Sequence, residues 1–491
     1  MTDPILFWNQ VAIEANRVSH TNFIDTGLNE QTGPTLSSRA MAMVHLAMYD
    51  AYAGVIDDPA TLPRYIPVPA SPGPGALASA AIAAAAHTVL TALYPSQKPF
   101  FDLNLAGAGN PSNPGHFFGI AVAQAILADR AEDPGAASPG YSALPERGKH
   151  RPDPDNPGQG FHGAHYGARS KGFAVSKRFE LASPPFNNDE YRNALREVRG
   201  KGIAPELMGT LPDHIPGRTV DETLIGIFWA YDGVAGLGTP MVLYNQIVRR
   251  VAIARNNSIA DNARLFAFVN AAMADAGILA WDQKYIHNFW RPVVGIREHD
   301  GSMGPAATEA ANNISNDSDP GWLPLGAPRT NRAGKNFTPP FPAYPSGHAT
   351  FGAAALHITR LFYGVPAGDR QPDHIFADSL GNPLNFVSDE YNGINADNKG
   401  TVRPRHLRSF PGGLWQMIEE NGRSRVYLGV HWVFDAFAVN DDDECSPDLT
   451  RTDANGNFFG GVPLGLQIAE DIFQKGGGRA PSKAMAIGPR P

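Results

Sequence analysis

Apolar positions recur with helical spacing over much of the chain, interrupted by long polar stretches rich in glycine and proline. Residues 37–55 (SSRAMAMVHLAMYDAYAGV) set Met41, Val44, His45 and Met48 on one face, the pattern of a packed helix. Residues 76–94 and 117–131 also look helical, with small side chains that let helix axes approach closely. Periodicity vanishes over 133–190, where Pro, Gly, Asp and His are dense, so a long structured connector is expected there. Helical spacing resumes at 222–231, 242–254 and 261–289. After a loop at about 301–344 it returns at 347–363, 412–429, 432–439 and 464–474. No alternating apolar run supports an extensive sheet. The pattern predicts an all-α fold of two helical bundles joined by long irregular loops. The expected units are an N-terminal bundle with the connector (1–215), a C-terminal bundle (216–475) and a mobile tail (476–491).

Composition narrows the function. The chain has 491 residues, 43% hydrophobic and 18% charged, which is globular rather than disordered. Forty basic against forty-eight acidic residues leave a net charge of -8, so no excess of Lys and Arg favours a nucleic-acid partner. A single cysteine, Cys445, excludes intrachain disulfides and paired-thiol chemistry. The start, MTDPILFWNQ, has no recognisable signal peptide. Residues 76–93 are alanine-rich and contain His87, which argues against a membrane span. A soluble chain is expected; its compartment is unspecified, secretion by another route is compatible, and a homo-oligomer is neither specified nor excluded.

The common nucleotide, zinc-protease and serine-hydrolase motifs (GxxxxGK[ST], HExxH, GxSxG) are absent. Three other segments carry polar residues in apolar helical surroundings. In WDQKYIHNFWRP, Lys284 and Arg291 lie seven apart, a spacing that puts them on one face of one helix. In FPAYPSGH an extended proline run enters a helix. Ser346 sits where an N-cap belongs, Gly347 lets an anion approach the first N–H groups, and His348 can act as acid or base. In SRVYLGVHWVFD, Arg425 and His431 interrupt an apolar stretch, and Asp435 follows His431 by one turn if the helix continues, where it can fix the imidazole tautomer. Separately, each segment has a plain structural explanation: a solvated basic stripe, an ordinary cap, a buried ion pair. Together they supply three cations, a hydroxyl, a helix-start amide and two histidines, which is a socket for a tetrahedral oxyanion.

The ordered pattern K-x6-RP, PSGH, SR-x5-H-x3-D resembles the one shared by vanadium-dependent haloperoxidases and the related type-2 phosphatidic-acid/acid phosphatases. The stretches FWAYDG, LYNQIVRR, ARLFAFVNAAMADAG, PPFPAYPSGHATFG and LGVHWVFDA look like the fungal-type chloroperoxidase branch, while the N-terminal half is similar only loosely. The resemblance implies one vanadate per chain as cofactor, with His431 as its single protein ligand. Lys284, Arg291, Arg425, Ser346 and the Gly347 amide would hold the oxygens. His348 would shuttle protons, Lys284 would polarise bound peroxide, and Asp232 of FWAYDG would pair with Arg425. Trp281 and Phe341 correspond to halide-pocket aromatics, implying chloride-competent activity with bromide also accepted. Hydrogen peroxide, halide and a small organic acceptor are the implied partners. The alternative is an acid phosphatase forming a phospho-histidine at His431, since the same socket binds phosphate.

Lesser signals have plainer expectations. His150, His162 and His165 lie in the connector and are expected to be solvated rather than metal-binding. Asp453-Ala-Asn455-Gly-Asn457 resembles the start of a calcium loop, but the closing position is Leu464, so a turn is expected. The acidic run 441–444 is read as a solvated helix exit, and Cys445 has no assigned role.

Overall fold

A computed structural model describes residues 3–67, 71–307, 317–440, 446–484, 487 and 490. The helices in chain order are α1 (Pro4–Thr26), α2 (Gly33–Ile56), α3 (Ala78–Leu93), α4 (Lys98–Ala108), α5 (Pro114–Asp129), α6 (Tyr166–Arg169) and α7 (Asp189–Lys201). They continue with α8 (Val220–Phe228), α9 (Pro240–Ala254), α10 (Ile259–His287), α11 (Pro292–Arg297), α12 (Gly347–Phe362), α13 (Gly413–Tyr427) and α14 (Gly461–Lys475). Among the described residues, the strands are two-residue antiparallel pairs: β1 (Asn385–Phe386) with β2 (Arg408–Ser409), and β3 (Ala438–Val439) with β4 (Pro447–Asp448).

Local sequence sets the helix starts. Asp3 accepts from the Leu6 amide ahead of α1, and Thr219–Glu222 and Ser258–Asp261 close reciprocal capping boxes ahead of α8 and α10. Helices α1, α4, α6, α7 and α11 are additional to those read from periodicity.

Helix α10 organises the molecule. It packs against α2 on one side and α12 on another. Gly277 marks the squeeze: a Cβ there would lie 2.9 Å from Ser38 Oγ of α2 and 3.1 Å from the Phe351 ring of α12. The helix is long and apolar enough, by length and composition, to cross a membrane, yet protein covers nearly all of it. The apolar core runs without a break from α1–α5 through α10 to α12–α14. A buried polar ladder crosses it. The Asn9 amide bonds His45 Nε2 (2.8 Å) and Asn245 (2.9 Å), and Asn245 bonds Asn270 (3.0 Å), tying α1, α2, α9 and α10 together.

The connector is structured, as its composition suggested, and lies along α10. Asp275 of α10 accepts from the amides of Phe173, Ala174 and Val175 at 2.6–2.8 Å. Gln283 accepts from the Leu181 amide at 2.9 Å. Gly167 touches the helix backbone so closely that a Cβ would come within 2.0 Å of the Asp282 nitrogen.

Three expectations are corrected. Helix α10 stops at His287, because Asn288 turns left-handed (φ 50°) and Pro292 opens α11; Lys284 and Arg291 therefore do not share a helix. Residues 432–439 form only a short 3₁₀ turn (Val433–Asp435) and strand β3, since Gly429 (φ 73°) breaks the run after α13. The tail from Gly476 does not trail free in its described part. Ala480 and Ile487 are buried, the Ala484 amide bonds Phe173 O (2.8 Å), and Arg490 pairs with Asp282 (2.7 Å). The 453–457 segment is a turn, with Asp453 Oδ1 accepting from the Asn455 and Asn457 amides. The acidic run and Cys445 lie outside the described residues.

Candidate active site

The three polar segments converge. A cavity of about 300 Å³ is lined by Asp232, Trp281, Phe341, Gly347, His348, Arg425 and His431, with Lys284, Arg291 and Ser346 bonded in behind its wall. The chain reversal after α10, not a shared helix face, brings Arg291 to this wall.

His431 sits in the turn after α13. Its Nδ1 donates to Asp435 Oδ2 (2.7 Å), which also accepts from the Trp432 amide (3.0 Å). With Nδ1 protonated, Nε2 carries the lone pair. Arg291 Nη1 lies 2.8 Å from that nitrogen and also donates to Val430 O, while its Nε donates to Phe341 O (2.9 Å). Burial, then the neighbouring Arg291, Lys284 and Arg425, hold the His431 imidazole well below its ordinary pKa, so it is neutral. Burial pushes the Asp435 carboxyl up to about 7, against the pull of Lys284 and Arg291.

Arg425, near the end of α13, is clamped by Asp232 through two parallel bonds (2.8 and 2.6 Å), and both side chains are buried. Ser346 caps α12 as expected: its hydroxyl accepts from the Ala349 amide (3.4 Å), and its own amide donates to Asp435 O (2.7 Å). His348 Nε2 donates to Ala230 O, so Nδ1 keeps the lone pair. Burial first, then Arg425, pushes its pKa down to about 3.

Lys284 is fully buried, and its ammonium donates to the carbonyls of Pro342, Ala343 and Pro345. It thereby shapes the proline segment that ends at Ser346. Burial and Arg291 hold it well below the ordinary lysine pKa, and burial lowers Arg291 to about 9. Trp281 and Phe341 are in contact, with ring centroids 4.8 Å apart. Phe341 also lies 5.2 Å from the Lys284 ammonium and 5.0 Å from the Arg291 guanidinium carbon.

The donor set suits a small oxyanion. Three buried cations face two buried carboxylates, Asp232 and Asp435, and like charges out of water are costly without a compensating anion. Arg291 Nη2 and Arg425 Nε are buried N–H groups with no acceptor among the described residues. The start of α12 adds the N–H groups at Gly347. These donors fit vanadate or phosphate.

The sequence missed part of the cavity. Its other walls come from the α1–α2 junction (His20, Phe23, Gly33, Pro34) and from the connector (Gln159, Phe161, His162). His162 could be singled out in the sequence only as a loop histidine, and no signal there tied α1–α2 to the site. The expectation of solvated histidines is corrected: His150 is buried and His162 and His165 are half-buried, because the connector is pressed between α10 and the proline segment.

Comparison with known proteins agrees with this geometry. A model of the vanadium chloroperoxidase N-terminal domain matches residues 1–109, and one of the second helical-bundle domain of the same proteins matches residues 264–441. The chain is 35% identical to vanadium chloroperoxidase of Curvularia inaequalis, over 97% of this chain and 90% of that protein. The chain belongs to the vanadium chloroperoxidase family. Solved structures share the fold. A bacterial vanadium-dependent iodoperoxidase aligns with a TM-score of 0.59 at 20% identity, covering 95% of both chains. A holo-type bacterial vanadium-dependent chloroperoxidase aligns with a TM-score of 0.62 at 16% identity, covering 91% of this chain and 93% of that one. Matches within the family thus extend over the N-terminal half, where the sequence motifs themselves were sparse.

Proposed function

We propose that this family member is a vanadate-dependent haloperoxidase, which uses hydrogen peroxide to oxidise chloride, bromide and iodide to hypohalous acid or its equivalent. The oxidised halogen then halogenates a small organic acceptor. The observation that carries this reading is the pair of unsatisfied guanidinium N–H groups, Arg291 Nη2 and Arg425 Nε, beside the Nε2 lone pair of His431.

In this reading His431 Nε2 is the protein ligand of one vanadate per chain. Arg291, Arg425, Ser346 and the Gly347 amide hold its oxygens. When bound, vanadate supplies a Lewis acid that keeps its oxidation state while activating hydrogen peroxide toward halide. The residues supply the rest. Asp435 holds the His431 tautomer, and Asp232 aims Arg425. The reaction, H2O2 + X⁻ + H⁺ → HOX + H2O, consumes a proton, and His348 has the free Nδ1 that can accept and return one. An oxyanion beside His348 offsets the repulsion from Arg425 and raises its basicity. Lys284, by trading one of its three carbonyls, can polarise peroxide. Trp281 and Phe341 form the halide wall, chloride-competent with bromide accepted. We propose further that the chain divides into a unit 1–215 and a unit 216–475.

An activity matrix tests it: chloride, bromide and iodide, each with and without added vanadate, with phosphate as competitor. Halide oxidation that requires vanadate and is inhibited by phosphate is expected. Fast vanadate-free hydrolysis of a generic phosphate ester, without halide oxidation, supports the phosphatase instead.

A further inference from the structure

His162 lines the same cavity as Trp281 and Phe341. Its ring centroid lies 6.1 Å from that of Trp281 and 6.1 Å from that of Phe341. The residue is held on several sides. Its amide donates to Pro340 O (3.0 Å), and its carbonyl accepts from Trp281 Nε1 (3.2 Å) and the Tyr285 hydroxyl (2.8 Å). The ring leans on Gly33, where φ is +78° and a Cβ would come within 2.3 Å of Cε1. No side chain but glycine's leaves the imidazole this place.

The hydrogen bonds decide its tautomer. Nε2 lies 3.0 Å from Thr35 Oγ1, and Thr35 is buried. The threonine hydrogen has no other acceptor among the described residues, so the hydroxyl donates to Nε2. A neutral imidazole then carries its hydrogen on Nδ1, and no described residue accepts it. Burial pushes the pKa of His162 down to about 4, so the ring remains neutral. Of the three rings on this wall, Trp281 has committed its N–H to the His162 carbonyl and Phe341 has none. His162 alone of the three keeps a donor.

We propose, resting on the haloperoxidase reading, that His162 sets halide specificity, its Nδ1–H donating to the halide held against Trp281 and Phe341 and favouring chloride over iodide. A small halide accepts the stronger hydrogen bond and loses more hydration at an apolar wall, so one donor matters more to chloride.

The test uses the full chain loaded with vanadate. His162→Phe keeps a ring but removes the donor. The expected result is a chloride KM raised about tenfold, the loss of one hydrogen bond to an ion, with the iodide KM changed less than about twofold. His162→Asn, which restores an N–H, recovers most of the chloride KM. Thr35→Val, which keeps volume and releases the tautomer, moves the ratio the same way by less. Chloride and bromide NMR line widths read halide binding apart from turnover and should follow the KM values. Equal changes for chloride and iodide in His162→Phe overturn the proposal. Should that variant not fold, an unchanged ratio in Thr35→Val overturns it. A wild-type chain that oxidises no halide with vanadate overturns the haloperoxidase reading instead.

Discussion

Arg291 Nη1 lies 2.8 Å from Nε2 of His431, so the arginine holds the very lone pair that the imidazole can offer an incoming atom. Asp435 occupies the other nitrogen and leaves no second tautomer available. Coordination at His431 would therefore displace a guanidinium bond, and the released N–H would join Arg291 Nη2 as a donor to the same group. His431→Ala is expected to abolish vanadate-dependent halide oxidation. Asp435→Asn, which loosens the tautomer, should weaken vanadate affinity by about 10–100-fold. Vanadate titration of activity checks both; full activity in His431→Ala refutes the ligand assignment.

Asp232 and Arg425 are a buried bidentate pair. Removing the carboxylate strands a buried guanidinium, so Asp232→Ala should cost about 3–5 kcal/mol of stability. It should also lower vanadate affinity, because the aim of Arg425 is lost. Denaturant unfolding of the vanadate-free chain separates the two effects. An unchanged midpoint would show that the pair is not required for the fold.

Lys284 meets three converging carbonyls with a compact ammonium. A planar guanidinium cannot match that arrangement, so Lys284→Arg is not conservative. We expect a loss of about 1–3 kcal/mol from overpacking and an activity as low as that of Lys284→Ala. Thermal unfolding together with bromide oxidation measures this; wild-type activity in Lys284→Arg contradicts it.

His45 is buried, and burial depresses its pKa from 6.5 to about 4. The unfolded chain binds a proton below 6.5 that the native imidazole does not take until about 4. Stability from this group is therefore complete above pH 6.5 and is lost as pH falls toward 4, by about 3 kcal/mol at 1.36 kcal/mol per pH unit. His45→Gln should reduce the drop in unfolding midpoint between pH 7 and 4. An identical drop in both proteins would mean that other groups carry it.

Phe341 packs its ring against Trp281 and lies near Lys284 and Arg291. Phe341→His replaces an apolar face by a polar one, and the chloride-to-bromide activity ratio should fall several-fold. A constant ratio would remove Phe341 from the halide wall.

Most helices were legible from apolar periodicity, and the site from motif order, because both are local signals. What escaped was long-range or depended on a break. Nothing in WDQKYIHNFWRP places the end of the helix at Asn288; the Pro292 that closes the segment disfavours helix only at the residue before it. His431 and Asp435 meet through a turn rather than a helix, so the four-residue spacing was right for the contact and wrong for the backbone. The cavity walls from α1–α2 and the connector were invisible for a different reason. Residues such as Gly33 and His162 acquire meaning only from a contact across 129 positions, the kind of pairing that no local window contains.

Gly277 lies between two helices, and Phe351, which it touches, stands 6.2 Å from Trp281 by ring centroids. One added methyl at 277 would wedge apart two layers together and, through a single intervening phenyl, jostle the chamber where chemistry is expected. Steric strain at the molecule's spine would thus reach its reaction vessel in two steps, so a methyl that meets only Ser38 Oγ and the Phe351 ring would retune halide handling without touching any cation or imidazole of the socket.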